Sequence, residues 1–79
     1  MQDSARQAAL ADAWPELVGA TTAQHARPVA LHHGVLAVEV DHPAWSAELE
    51  RFHRRALLER IAARFGEGWV REIRCRVGR

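Results

Sequence analysis

Residues 28–41 read PVALHHGVLAVEVD, and this stretch decides the fold class because apolar residues alternate on both sides of a central His-Gly pair. Alternation with a period of two predicts β-strands that each bury one face. Glycine at the centre supplies the positive φ that a tight turn requires. The stretch therefore predicts a β-hairpin over about residues 28–41, with its turn at His33-Gly34.

The segment before the hairpin has helical periodicity. Four apolar residues share the i, i+4, i+7, i+8 spacing of one buried stripe: Leu10, Trp14, Leu17 and Val18. We expect Asp3 or Ser4 to cap this helix, and residues 1–9 to form a helical or frayed extension. Pro15 is expected either to kink the helix or to start a second piece.

The segment after the hairpin predicts a helix from Ala44 to about Phe65. Asp41-His42-Pro43 is a start signal, and Gly66 is a typical end. At about 100° per residue, the apolar residues fall on two nearly opposite faces. One face holds Trp45, Leu49, Phe52 and Ala56, and the other holds Leu57, Leu58, Ile61 and Phe65. Either the helix breaks near residues 53–55 or it is buried on two sides; we expect a break and two short helices.

The last segment, from Trp69 to Val77, alternates again and predicts a half-buried strand. Its apolar face comprises Trp69, Ile73, Cys75 and Val77, and its opposite face comprises Val70, Glu72, Arg74 and Arg76. The order α-β-β-α-(α)-β predicts one α+β domain over residues 1–79, a three-stranded sheet with helices packed on one face. If the last strand lies at an edge, it also offers a surface for self-association.

Charge is divided between the two halves of the chain. Residues 1–50 have two arginines and seven acidic residues, whereas residues 51–79 have nine arginines and three glutamates. The halves thus carry net charges of −5 and +6, and the whole chain carries +1. The C-terminal arginines form either a phosphate-binding surface, whose affinity falls with salt, or a solvated face with helical pairs such as Glu48–Arg51 and Arg55–Glu59.

Patterns typical of catalysis or metal binding are absent from the sequence. Five histidines occur without an HxxxH or CxxC pair, and there is no P-loop or nucleophile elbow. We therefore expect no enzymatic activity, cofactor, metal or small-molecule substrate. The single cysteine, Cys75, is expected to be a buried small hydrophobe. The first residues lack the apolar core of a signal peptide or membrane anchor, so we expect a cytoplasmic protein.

Five segments, taken in order, resemble one bacterial family. They are WPELVG at 14–19, HARP at 25–28, GVLAVEV at 34–40, AWSAEL at 44–49 and IRCRVG at 73–78. Together they resemble the DciA family over roughly residues 10–78. The resemblance implies a KH-like domain that interacts with the replicative helicase DnaB, supports its loading at replication initiation and binds single-stranded DNA, in association with the nucleoid. Many members carry a basic disordered tail beside the domain, which we do not expect in this chain.

The sequence departs from true KH domains at the loop that grips nucleic acid. That loop has a GXXG motif, whereas the corresponding residues 53–56 read HRRA. Without glycine, backbone amides cannot approach phosphates closely, so contact is expected through arginine side chains. The expected nucleic-acid-binding residues are Arg51, Arg54, Arg55, Arg74 and Arg76.

The three tryptophans are candidates for core packing or for an interface. Trp45 lies in the first turn of its predicted helix, where partial exposure is easiest. It is therefore the expected anchor for a protein partner. A general KH-like module that binds RNA or single-stranded DNA without a helicase is the alternative function.

Overall fold

The chain forms a mixed helix-and-strand fold in a computed structural model that describes residues 2–78. In chain order the elements are α1 (Gln2–Val18), α2 (Ala20–His25), β1 (Ala26–His32), β2 (Val35–Val40), α3 (Pro43–Ala47), a π-helical turn (Glu48–Phe52), α4 (Arg54–Phe65) and β3 (Glu72–Val77). The predicted α+β class is confirmed. None of these described helices is long and apolar enough to cross a membrane.

The three strands form one sheet with β2 in the centre. β1 pairs with β2 antiparallel, and β3 pairs with β2 parallel, so β3 is an edge strand as predicted. Leu36, Val38 and Val40 of β2 are fully buried beneath the helices, together with Ile73 of β3. The residues between them on β2 point to the opposite, half-buried face of the sheet.

The predicted hairpin is confirmed. Its turn residues, His33 and Gly34, both have positive φ, 52° and 82°. Two positive φ angles match the right-handed twist of the strands, which explains the His-Gly pair. The register of β1 shifts between Pro28 and Ala30, where the extra residue Val29 bulges from the strand.

Helix α1 packs through its predicted stripe. Leu10, Trp14 and Leu17 are buried. The Trp14 indole Nε1 donates to the carbonyl oxygen of Ala26 at 2.8 Å, which ties α1 to β1. The helix begins at Gln2. The predicted cap at Asp3 or Ser4 lies outside the side chains that the structure describes. Pro15 lies inside α1, and the helix is interrupted at Gly19, which has a φ of 94°.

The second helical region breaks at His53, within the predicted range of residues 53–55. His53 has a φ of −113° and a ψ of 6°, which separates the π-helical turn from α4. Its amide donates to the carbonyl oxygen of Glu48 at 2.9 Å, the i→i+5 bond that defines a π turn. The helical region therefore contains one residue more than regular α-helical turns would hold.

That extra residue explains the two apolar stripes. If the extra residue is left out of the helical count, the apolar stripe of α4 rotates by about 100° toward the stripe that precedes it. Leu49, Leu57 and Ile61 then share one face, and all three are buried. The prediction that Phe52 belongs to the buried face is wrong, because the π turn directs it outward and leaves it 74% exposed.

Strand β3 is shorter than predicted. It begins at Glu72 rather than Trp69, and the amides of Arg71 and Glu72 both donate to the carbonyl oxygen of Gly34. Because the chain turns before this point, alternation does not extend back to residues 69–71. Val70, predicted on the charged face, is therefore buried. Val77, predicted on the apolar face, is 52% exposed at the end of the sheet.

Candidate nucleic-acid and partner interface

Three arginines of the C-terminal half serve as ties between structural elements. Arg60 Nη1 of α4 donates to the carbonyl oxygen of Leu17 at 2.8 Å, and Arg64 Nη1 pairs with Glu16 Oε1 at 2.6 Å. Both contacts join α4 to α1. Arg71 Nη2 donates to the carbonyl oxygen of His33 at 2.7 Å and so holds the hairpin turn against the chain entering β3.

A second set lies on the half-buried face of the sheet. We refer to Arg27, Arg74 and Arg76 as the sheet-face arginines. Arg27 Nη2 lies 2.8 Å from Glu39 Oε1, and Arg76 Nη2 lies 4.0 Å from Glu39 Oε2. Arg74 Nε pairs with Glu72 Oε2 at 2.8 Å. Neighbouring carboxylates thus partly neutralise this face.

A third set, Arg51, Arg54 and Arg55, lies where the π turn meets α4. We refer to these as the helix-start arginines. All three are exposed, and they line one shallow concavity of about 540 Å³. Among the described side chains, those of residues 5–78, none of them forms an ion pair.

The helical pairs expected for these arginines are not formed. Glu48 Oε1 lies 3.1 Å from His53 Nε2 rather than beside Arg51, because the break at His53 moves that ring across the turn. Glu59 forms no ion pair with Arg55 in the described structure. The helix-start arginines therefore differ from the other two sets: among the described side chains, they neither form an ion pair nor donate a hydrogen bond to another element.

Phe52 is an exposed aromatic residue within the same short stretch. It lies between Arg51 and Arg54 in the chain, and 74% of it is exposed. Fully burying a phenylalanine side chain stabilises a fold by roughly 1.5–3 kcal/mol, and the exposed position of Phe52 loses most of this contribution. Sequence reasoning missed Phe52, although the jump in phase between the two apolar stripes was a signal of an inserted residue. Such π turns are frequent at functional sites.

Trp45 is half-buried at the start of the same helical region. Its ring stacks on the His25 ring, with centroids 5.0 Å apart and planes 10° apart. His25 Nδ1 in turn lies 2.8 Å from Asp41 Oδ2. His42 rather than Asp41 caps α3, since its Nδ1 accepts from the amide of Ala44. Trp45 therefore packs against the core and also reaches the surface, and its partner role stays a prediction.

The edge of β3 is occupied at its centre. The amides of Glu72 and Gly78 donate to the carbonyl oxygens of Gly34 and Val40, so by alternation the amide of Cys75 points outward. The Glu50 carboxylate, from the π turn, accepts this outward amide. A second copy pairing along β3 would need the same amide, so the Glu50 contact competes with such pairing at this position, and self-association stays a prediction.

Glu50 also affects the thiol of Cys75. Burial, followed by the charge of Glu50 and a hydrogen bond to it, raises the pKa of Cys75 from 9.0 to about 11. The neutral thiol packs against the core. Cys75 is half-buried rather than fully buried as predicted.

One family model and several known proteins match the sequence of this chain. The family model described as "Dna[CI] antecedent, DciA" matches residues 1–75. The chain belongs to the DciA family. It is 43% identical over 61 residues to a UPF0232 protein of Mycobacterium ulcerans and 38% identical to one of Rhodococcus jostii. These matches cover 77% of the chain and 32% of each relative, so the chain spans about a third of the length of these relatives.

In this DciA chain the five predicted nucleic-acid-binding residues separate into two groups. Arg51, Arg54 and Arg55 converge on one concavity. Arg74 and Arg76 project from the face of the sheet that the helices leave half-buried, each near a carboxylate. The two groups face different directions, and they differ in how much charge they present.

Proposed function

We propose that this chain is a non-enzymatic accessory factor that binds a DnaB-type replicative helicase and assists its loading or activity at replication initiation. The family match over residues 1–75 carries the proposal. The chain covers only part of its relatives, so the helicase contact is proposed for the domain that it spans.

Trp45 is proposed as an anchor for the helicase. Its ring is held by stacking on His25 and remains partly exposed, so little conformational freedom is lost when a partner covers it. Tryptophans in this situation are frequent among residues that dominate interface energies.

Weak contact with single-stranded DNA is proposed through the arginines. Phosphate contacts provide affinity without sequence preference, and they weaken as salt rises. The helix-start arginines contribute most, because Arg74 and Arg76 have carboxylate neighbours. Nucleoid association in the cytoplasm would follow from these two contacts.

The test is a titration of the chain against the replicative helicase of its own organism, with and without single-stranded DNA. We expect a complex at micromolar concentrations. Trp45→Phe should weaken it, whereas Trp69→Phe, at the other half-buried tryptophan, should leave it unchanged. The absence of a complex at these concentrations would contradict the proposal.

The second candidate is a general module for single-stranded nucleic acid that acts without a helicase. The helix-start arginines, which form no ion pair among the described side chains, favour it. Under this alternative the chain binds single-stranded DNA or RNA with a steep salt dependence, and the helicase titration shows no complex.

A further inference from the structure

We propose that Phe52 stacks on an unpaired base of single-stranded nucleic acid, while Arg51, Arg54 and Arg55 contact the neighbouring phosphates. This inference rests on the single-strand contact proposed above, and it names the site and the kind of contact. The observation behind it is an exposed ring at Phe52 that is flanked in the chain by three exposed arginines within residues 51–55.

The exposure of Phe52 is a consequence of the backbone. The π turn places Leu49 in the core at 2% exposure and directs Phe52 outward at 74%. The other large hydrophobic residues that are exposed are Val29 and Val77, at 40% and 52%, and neither has an aromatic face. Phe52 is therefore the described apolar side chain best suited to stack on a flat ligand.

The charge beside Phe52 suits a polyanion. Arg51, Arg54 and Arg55 have no carboxylate partner in the part of the chain that the structure describes, unlike the sheet-face arginines. Exposed guanidinium groups bind phosphate oxygens as forks. An aromatic ring that stacks on a base, among arginines that follow the backbone, is the general arrangement of single-strand binding sites.

Acidic residues define where this site ends. Glu50, Glu59 and Glu67 line the concavity together with the helix-start arginines. These carboxylates repel a phosphodiester chain, so the strand would cross Phe52 and the start of α4 and would not follow the apolar floor of the concavity. An amphipathic protein helix would instead use that floor, formed by Leu58, Ala62 and Val70.

Stacking on Phe52 requires a base with a free face. In a duplex both faces of each base are covered by its neighbours, so Phe52 should not affect duplex binding. The sugar is not part of the contact, so DNA and RNA strands share the chemistry. Titrations with both polymers identify which of them the protein binds more tightly.

The main test is a fluorescence-anisotropy titration of labelled oligo(dT) and oligo(U) with the whole chain. Phe52→Ala should weaken binding roughly 5- to 150-fold, the range expected for removing one base-stacking aromatic side chain. Phe52→Trp should restore the affinity, and Phe52→Leu should not, because leucine is apolar without an aromatic face. Val77→Ala is the matched control, since it shortens an exposed apolar side chain elsewhere.

An abasic oligonucleotide separates stacking from charge. It retains the phosphates but offers no base, so wild type and Phe52→Ala should bind it equally. The proposal would be overturned if Phe52→Ala bound oligo(dT) and oligo(U) as tightly as wild type does. It would also be overturned if the substitution weakened binding to the abasic strand as much as binding to the strands that carry bases.

The helicase titration distinguishes this inference from the proposed function. Phe52→Ala should bind the helicase as wild type does. If it loses the helicase while its oligonucleotide affinities stay unchanged, Phe52 is a protein contact and the stacking proposal is wrong. If wild type binds no helicase but the oligonucleotide results are as expected, the stacking site stands and the helicase proposal fails.

Discussion

The two ends of α4 carry arginines with different roles. Near its end, Arg60 and Arg64 reach α1, where a main-chain carbonyl and a carboxylate accept their hydrogen bonds. At its start, Arg54 and Arg55 are exposed and line a concavity with Arg51. In sequence these residues look alike, since all belong to one basic helical segment.

This difference shows that packing gives the arginines of α4 two separate roles. Acceptors on α1 lie within reach of the later turns of α4. The first turn instead follows the π turn, which contributes an exposed phenylalanine beside the arginines. Part of the positive charge therefore stabilises the fold, and the remainder is available to a ligand.

The largest expected effect is a difference in stability between substitutions at two residues of the π turn, Leu49 and Phe52. Leu49→Ala should lower the free energy of unfolding by about 2–5 kcal/mol, because Leu49 is buried in the core. Phe52→Ala should change it by less than about 0.5 kcal/mol, because most of that side chain is already in water. Urea denaturation measures both, and similar losses would contradict the outward position of Phe52.

The next effect separates the helix-start arginines from the sheet-face arginines. Replacing Arg51, Arg54 and Arg55 with glutamine should reduce the slope of log K against log salt by about 2, since each phosphate contact contributes about 0.7 for single strands. Replacing Arg27, Arg74 and Arg76 removes the same charge and is the matched control. Its slope should change by less than about 1. Equal changes would show that the carboxylates near the sheet-face arginines do not matter.

A smaller effect separates the two ends of α4 by stability. Arg60→Ala should lower the free energy of unfolding by about 1 kcal/mol, because it removes a charged donor from the Leu17 carbonyl oxygen at a partly exposed site. Thermal unfolding should register this as a fall in Tm of about 4–8 °C. Arg54→Ala should leave Tm unchanged, and a comparable fall would place Arg54 among the structural ties.

The smallest effect concerns the carboxylates of the same region. Glu50→Gln should lower the pKa of Cys75 below about 11 but leave it above 9.0, because burial is the main cause of the shift. The pH dependence of thiol alkylation measures this. Glu59→Gln, whose carboxylate lies in the concavity, should have no effect on the thiol.

The Cys75 pKa also has a consequence for stability. The pKa of Cys75 is higher in the folded state than in the unfolded state. Its contribution to the free energy of unfolding is therefore complete below pH 9 and is lost as the pH rises toward 11. In Glu50→Gln this loss should be smaller. A stability that is flat across that window in wild type would contradict the raised pKa.

Much of the fold could be predicted because local patterns determine it. The hairpin, the Leu10–Trp14–Leu17 stripe and the break near His53 each follow from spacing within a few residues. The errors arose where a local irregularity changed the count. The π turn moved Phe52 outward, and the turn before Glu72 placed Val70 in the core.

The candidate site could be predicted only in part. The basic stretch 51–55 was visible in the sequence, but nothing local indicated that Arg74 and Arg76 would have carboxylate neighbours. The Glu50 contact with Cys75 joins residues 25 positions apart, and no short pattern predicts it.

The sequence by itself determined the order of elements, the buried face of β2 and the excess of arginine in the second half, because periodicity and charge are properties of neighbouring residues. The tertiary structure decided which arginines remain available, that Phe52 is exposed and that Glu50 contacts the β3 edge at Cys75. These outcomes depend on contacts such as Arg60 with Leu17 and Arg64 with Glu16, 43 and 48 positions apart. Only the packing of helices on the sheet brings such distant residues within hydrogen-bonding distance.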